Sequence, residues 1–426
     1  MTSPSVHRPP AIAAPASPAD DPGGTDDADG AGDRQGGAVV ASARISMRVG
    51  LPRPDRARPA PSACHALGAR TGPRGRDNAT RSVGGAVLPV DTADVWAAAA
   101  RLSGVARRTR IVVAPGITGD PGSPVWLKCE HEQHTGSFKL RGAYNRIAAA
   151  GPRARARGVV AASAGNHAQG VAFAAARFGA AATIFVPEGA NPAKVARTRS
   201  LGARVEHVPG GVDAAIRTAA AFAADSGAFL VHPFDDEAVV AGQGTVGLEL
   251  LEQIPDLSTV ITGVGGGGLL CGLAVAIRNQ RPDVRVIGVQ AAAAPAFAAS
   301  FHAGSRLTVP PGGGASDTTA GDGRERPPAG TVADGMAVGA PGRLTLALAA
   351  RLVDDVVTVD EDAFWDGMVV LRRAGHRVEP AGAAGVAALL RMPHLASGPT
   401  AVILSGGNLD PAVDRRVAAL AAARAG

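Results

Sequence analysis

Lysine is nearly missing from this chain. Of its 43 Lys plus Arg residues, only Lys128, Lys139 and Lys194 are lysine. Arginine can replace lysine as a solvated positive charge, but its guanidinium does not give up a proton in the useful range. Each surviving lysine is therefore a candidate for amine chemistry. Aromatic residues make up only 3%, so the core must be built from Ala, Val, Leu and Ile. The three cysteines (Cys64, Cys129, Cys271) show neither CxxC nor metal-ligand spacing. That excludes a disulfide scaffold, predicts no metal site, and fits a reducing cytoplasm. The net charge of +6 divides evenly: residues 1–85 hold 11 Arg and 8 Asp, and the rest carries the other +3. No folded basic face is implied, so nucleic acid is not an expected partner. Leu257 to Ile277 lacks charge for 21 residues, but six of these are glycine, four of them consecutive. Such a run suits a loop between two elements better than a lipid-exposed helix, and no membrane span is expected. The N-terminus has no basic region followed by an apolar one, so no secretory signal is read there.

Glycine (56) and proline (32) are abundant and unevenly spread. Residues 1–85, rich in Pro, Ala, Gly, Asp and Arg and without periodicity, are expected to be disordered. A second low-complexity patch, Pro310 to Gly330, reads as a surface loop insertion. Elsewhere short apolar runs alternate with Ala-rich helical segments. Strands are expected at Gly158–Ala162, Thr183–Val186, Arg204–Val208, Phe229–His232, Val260–Gly263, Val284–Val289, Val356–Val359 and Ala401–Leu404. Helices are expected over 166–178, 192–201, 212–225, 237–253 and 269–280. The alternation predicts an α/β fold with mainly parallel twisted sheets flanked by helices. Ligands then sit on loops at the carboxyl ends of strands.

Four such segments carry chemistry. In Thr135-Gly136-Ser137-Phe138-Lys139-Leu140-Arg141-Gly142, a lysine beside an aromatic ring can present a desolvated amine, usable as nucleophile and base; a solvated helix lysine is the plain alternative. Ser163-Ala164-Gly165-Asn166-His167 opens a helix after a strand, which makes it either an anion site or an ordinary N-cap turn. Gly263-Val264-Gly265-Gly266-Gly267-Gly268-Leu269 offers consecutive backbone amides to a phosphate. It also contains a GxGxxG match (Gly263, Gly265, Gly268), but no ribose-binding acid follows at the end of a later strand. Ser405-Gly406-Gly407-Asn408 places a hydroxyl after the last strand, or is merely a glycine turn.

Taken together these residues resemble the threonine/serine dehydratases, pyridoxal-phosphate enzymes of fold type II (the tryptophan-synthase β family). Matching segments include Leu127–Tyr144 (LKCEHEQHTGSFKLRGAY), Ala162–Ala172 (ASAGNHAQGVA), His232–Leu250 (HPFDDEAVVAGQGTVGLEL), Thr331–Val338 (TVADGMAV), Glu379–Gly385 and Leu404–Asp410. The resemblance covers about Val90 to Arg416. It implies a large cofactor-binding lobe from 86–157 and 236–422, and a small lobe from 158–235. It also implies roles. Lys139 would form the Schiff base with pyridoxal 5'-phosphate and later remove the α-proton. Phe138 would pack on the ring, and Asn166 would bond the ring hydroxyl. Gly265, Gly266, Gly267 and Gly268, with Leu269, would hold the phosphate, and Ser405 would face the pyridine nitrogen. Ser163, Ala164 and His167 would line the substrate carboxylate site. Lys128 and Lys194 are left as structural charges.

The activity so implied is dehydration and deamination of L-threonine, or L-serine, to a 2-oxo acid and ammonia. Its setting is a cytoplasmic homo-oligomer, dimer or tetramer, that takes a small amino-acid substrate. Another β-hydroxy amino acid such as hydroxyaspartate or phenylserine is the alternative substrate. A non-catalytic cofactor-binding protein is disfavoured by the intact Lys139 and Asn166. Departures from relatives narrow the reading. Serine racemases of the family carry a serine where this chain has Ala164, so racemisation is expected to be weak. Relatives that bind a divalent metal have acidic residues where this chain has Gln290 and Ala296. Threonine and cysteine synthases put Asp where Leu140 stands. The chain ends soon after Asp410, so feedback through a C-terminal regulatory domain is not expected.

Overall fold

The structure is a computed structural model that describes residues 82–83, 86–117, 123–312 and 330–423. They belong to one compact unit, Arg74–Gly426. Nearly all of the expected tail (1–85), and the expected insertion (310–330) apart from its ends, lie outside the described residues.

Twelve strands follow in chain order among the described residues: β1 (Ser82–Val83), β2 (Ala86–Val87), β3 (Ile111–Val113), β4 (Val125–Lys128), β5 (Val159–Ala162), β6 (Ala182–Pro187), β7 (Arg204–Val208), β8 (Phe229–Leu230), β9 (Thr259–Gly263), β10 (Arg285–Ala291), β11 (Asp355–Val359) and β12 (Thr400–Ile403). One sheet has six strands in the order β11-β10-β9-β12-β4-β3; a second has four, β7-β6-β5-β8. Every pairing in both is parallel except β3 with β4. The eight strands expected from the sequence are all present, with ends shifted by no more than two residues. The pair β1–β2, inside or beside the expected tail, and the strands β3 and β4 are additions.

The inner strands β5, β9 and β12 are free of charged residues and almost wholly buried because both faces are covered. In β12, all four residues are buried. Successive residues point to opposite faces, and the core divides accordingly. Val260, Val286, Val356 and Ala401 join one cluster, whereas Ile261, Ile287, Val289 and Val402 join another. The small sheet is sandwiched in the same way. The uncharged run Leu257–Ile277 resolves into β9, a glycine turn and the helix Gly268–Arg278. Among the described residues no helix is long and apolar enough to cross a membrane.

With few aromatics to fill space, helices approach backbone to backbone. A Cβ added at Gly272 would lie 2.5 Å from the Val240 carbonyl oxygen, and one at Gly142 would lie 2.8 Å from that of Val239. These contacts lock the helices Lys139–Ala149, Glu237–Gln253 and Gly268–Arg278 together. Beneath them lies a buried ion network. Arg141 bonds Glu130 and Glu249, while Lys128 donates to Glu249, to Gln253 and to the Thr109 carbonyl. Burial pulls the Lys128 pKa down, against the pull of Glu249. Its charge is structural, as expected. Lys194, largely buried in the first turn of the helix Pro192–Ser200, pairs with Asp334.

Candidate active site

Lys139 is the first residue of the helix Lys139–Ala149, where the loop from Thr135 turns in from β4. Its partly buried amine donates to the Pro233 carbonyl at 2.8 Å and stands 5.4 Å from the centroid of the Phe138 ring. Burial lowers its pKa to about 8, opposed by nearby Glu379. At that value the neutral amine is readily available, as a nucleophile or general base requires.

The loop is pinned from the other side by the turn after β12. Phe138 N donates to the Ser405 carbonyl, Gly407 N to the Gly136 carbonyl, and Ser137 bridges to Gly406. Asn408 Nδ2 reaches both the Thr135 carbonyl and Asn166 Oδ1. The Ser405 hydroxyl makes only a long 3.4 Å contact with the Ala381 carbonyl, which leaves it able to turn to another partner. Thr135 Oγ1 and Ser137 Oγ are buried with no hydrogen-bond partner.

Asn166 opens the helix Asn166–Arg177, after β5. Its Nδ2 donates to Glu379 Oε1 at 2.5 Å. Glu379 is buried, and burial raises its pKa to about 7, with Asp334 adding to the rise. Ser163 lies on the preceding turn and accepts from Gly165 N. Ala164 packs on the small-sheet core. The His167 side chain turns away: it is buried, its Nε2 meets the Val231 carbonyl at 2.9 Å, and burial lowers its pKa to about 3. What this segment offers an anion is therefore the first-turn N–H groups, which lack intrahelical acceptors.

The glycine run sits between β9 and its helix. Gly267 has φ +95°, open to glycine at little cost. A Cβ at Gly266 would fall 2.3 Å from the Phe234 ring, and one at Gly267 would fall 2.4 Å from Phe297. Only bare backbone fits there. Thr345 Oγ1 donates to the Gly266 carbonyl, and Asp235 accepts from the backbone N–H groups of Arg343, Leu344 and Thr345. Leu269 is buried behind the run.

Phe234, which the glycine run packs against, adjoins Pro233, whose carbonyl accepts from the Lys139 amine, so one dipeptide touches both the lysine and the run. Lys139, Phe138, Asn166, Ser405 and Gly265–Gly268 are thereby brought together. The Ser163 hydroxyl and the His167 ring are committed to local contacts. Glu379, Asn408, Pro233, Phe234 and Asp235 carry no role in the sequence reading, although all lie in the matching segments. A carboxyl just before a Pro-headed helix (Glu379, Pro380) was the one signal available.

The description "Pyridoxal-phosphate dependent enzyme" matches residues 102–406. The chain belongs to this family. A cradle of side-chain-free amides, a desolvated lysine amine, and under-bonded hydroxyls at Ser405 and Ser137 fit a phosphorylated pyridine aldehyde. The chain is 43% identical over 318 residues to the L-threonine ammonia-lyase of Thermotoga maritima, covering 74% of this chain and 75% of that protein. Among solved structures, the T.th. threonine deaminase is 37% identical with a TM-score of 0.67, covering 75% and 99% of the two chains. Maize serine racemase is 32% identical with a TM-score of 0.70, covering 79% and 98%. The α/β architecture expected from the resemblance, and the dependence on pyridoxal phosphate, both hold.

Proposed function

We propose that this enzyme dehydrates and deaminates L-threonine, and more weakly L-serine, to 2-oxobutanoate or pyruvate and ammonia. The observation that carries the reading is the Lys139 amine, desolvated and facing the glycine run, in a chain so similar to threonine ammonia-lyases and deaminases. When bound, pyridoxal phosphate supplies the electron sink that acidifies the substrate Cα–H and eases loss of the β-hydroxyl.

The chain's own residues do the rest. Gly265 to Gly268 and the helix behind them would hold the phosphate through backbone N–H groups. Phe138 and Asn166, the latter fixed by Glu379 and Asn408, would hold the ring. Ser405 would offer the pyridine nitrogen a hydroxyl rather than a carboxylate. Lys139 Nζ removes the α-proton. The turn Ser163–His167 receives the substrate carboxylate, mainly through its N–H groups. The two sheets correspond to two lobes, 86–157 with 236–422 and 158–235, and the enzyme acts as a cytoplasmic homo-oligomer.

The similarity to maize serine racemase favours a second reading. Ala164 stands where a hydroxyl would have to serve the opposite face of Cα, so D-serine formation should be weak. Release of 2-oxo acid from a panel of threonine, serine, hydroxyaspartate and phenylserine tests the first reading, and chiral analysis of L-serine incubations for D-serine tests the second. Threonine is expected to be turned over fastest; inert threonine and serine would overturn the proposal.

A further inference from the structure

Sequence spacing gives no metal motif, yet the fold gathers one cysteine, two histidines and a carboxylate at a place outside the cofactor pocket. Cys129, His131 and Glu132 lie on the turn after β4, and His376 arrives three residues before Glu379. One donor atom from each of the four lies within 4.8 Å of every other. We infer that Cys129, His131, His376 and Glu132 form a binding site for a zinc-class divalent transition metal.

Three observations carry this. The Nδ1 atoms of both His131 and His376 are buried without a hydrogen-bond partner, and the rings meet edge to face at 5.4 Å. A buried polar atom left unpaired is costly, so two in one cluster call for a shared partner. The donor set of thiolate, two imidazoles and a carboxylate is what tetrahedral zinc takes. Arg110 grips Glu132 through Nε and Nη2, which fixes the carboxylate in place beside the two rings. On binding, the Cys129 S–H bond breaks, sulfur bonds the metal as thiolate, and the proton goes to solvent.

The location gives the site a structural neighbour. His131 N donates to the Leu404 carbonyl, and a Cβ at Gly407 would lie 3.2 Å from His131 Cβ. The cluster thus backs the turn that carries Ser405.

The test uses chelator-dialysed holoenzyme titrated with Co2+, then with Zn2+. One equivalent should bind, with a sulfur-to-cobalt charge-transfer band. Cys129→Ser should abolish that band, and His376→Gln should weaken affinity at least tenfold, while both keep the cofactor absorbance of the parent. X-ray absorption at the zinc edge of the unmutated enzyme covers variants that do not fold: it should show one sulfur at about 2.3 Å and nitrogens at about 2.0–2.1 Å. No saturable uptake, uptake unchanged in both variants, or a sulfur-free shell would overturn the site.

Discussion

At the scale of single residues, stability and catalysis turn on groups whose protonation the fold sets. Glu379 has its pKa raised from 4.5 to about 7 by burial. The folded state thus holds that proton more tightly than the unfolded chain does. Its contribution is fully present below pH 4.5 and is lost as pH rises through about 7, a swing of about 3 kcal/mol. Glu379→Gln should flatten that part of the stability profile in urea melts taken at a series of pH values. An unchanged slope would show that Glu379 does not carry this pH dependence. Lys128→Met is expected to cost about 3 kcal/mol in the same melts, because it leaves Glu249 short of a buried partner. Lys139 was legible from its rarity and its motif, but Glu379 was not: nothing in a sequence says that a carboxyl will be buried under an asparagine 213 positions away. His167 was legible as part of a motif, but not the use of its Nε2 against the Val231 carbonyl, which leaves Nδ1 buried without a partner.

At the scale of elements, glycine does the positioning. Gly266→Ala would put a methyl 2.3 Å from the Phe234 ring. It should weaken pyridoxal-phosphate binding at least tenfold in a cofactor titration, with little change in far-ultraviolet circular dichroism. Gly272→Ala should instead destabilise the whole protein by about 1–3 kcal/mol, since its neighbour is the Val240 backbone rather than a movable side chain. The parallel strands were legible because they are short, apolar on both faces and separated by helices. β3 was not, being an edge strand of three residues with an antiparallel partner. β4, with a lysine at its end, hides a buried charge in what should be an apolar run.

At the scale of the whole molecule, every residue proposed for the site lies between Lys139's loop and the turn after β12. Removal of residues 1–81 is therefore expected to leave turnover and cofactor absorbance unchanged; a loss of either would show that these residues contribute to the folded enzyme. What the sequence could not show at this scale is convergence. Cys129 and His376 are 247 positions apart and share no spacing motif, yet their donors meet.

The proposed chemistry depends above all on Lys139 holding the cofactor. Reduction of the active enzyme with borohydride, followed by peptide mass mapping, tests this directly, because only three side-chain amines can carry the label. One pyridoxyl group on Lys139 is the expected result. A label on Lys128 or Lys194, or on no lysine at all, would contradict it.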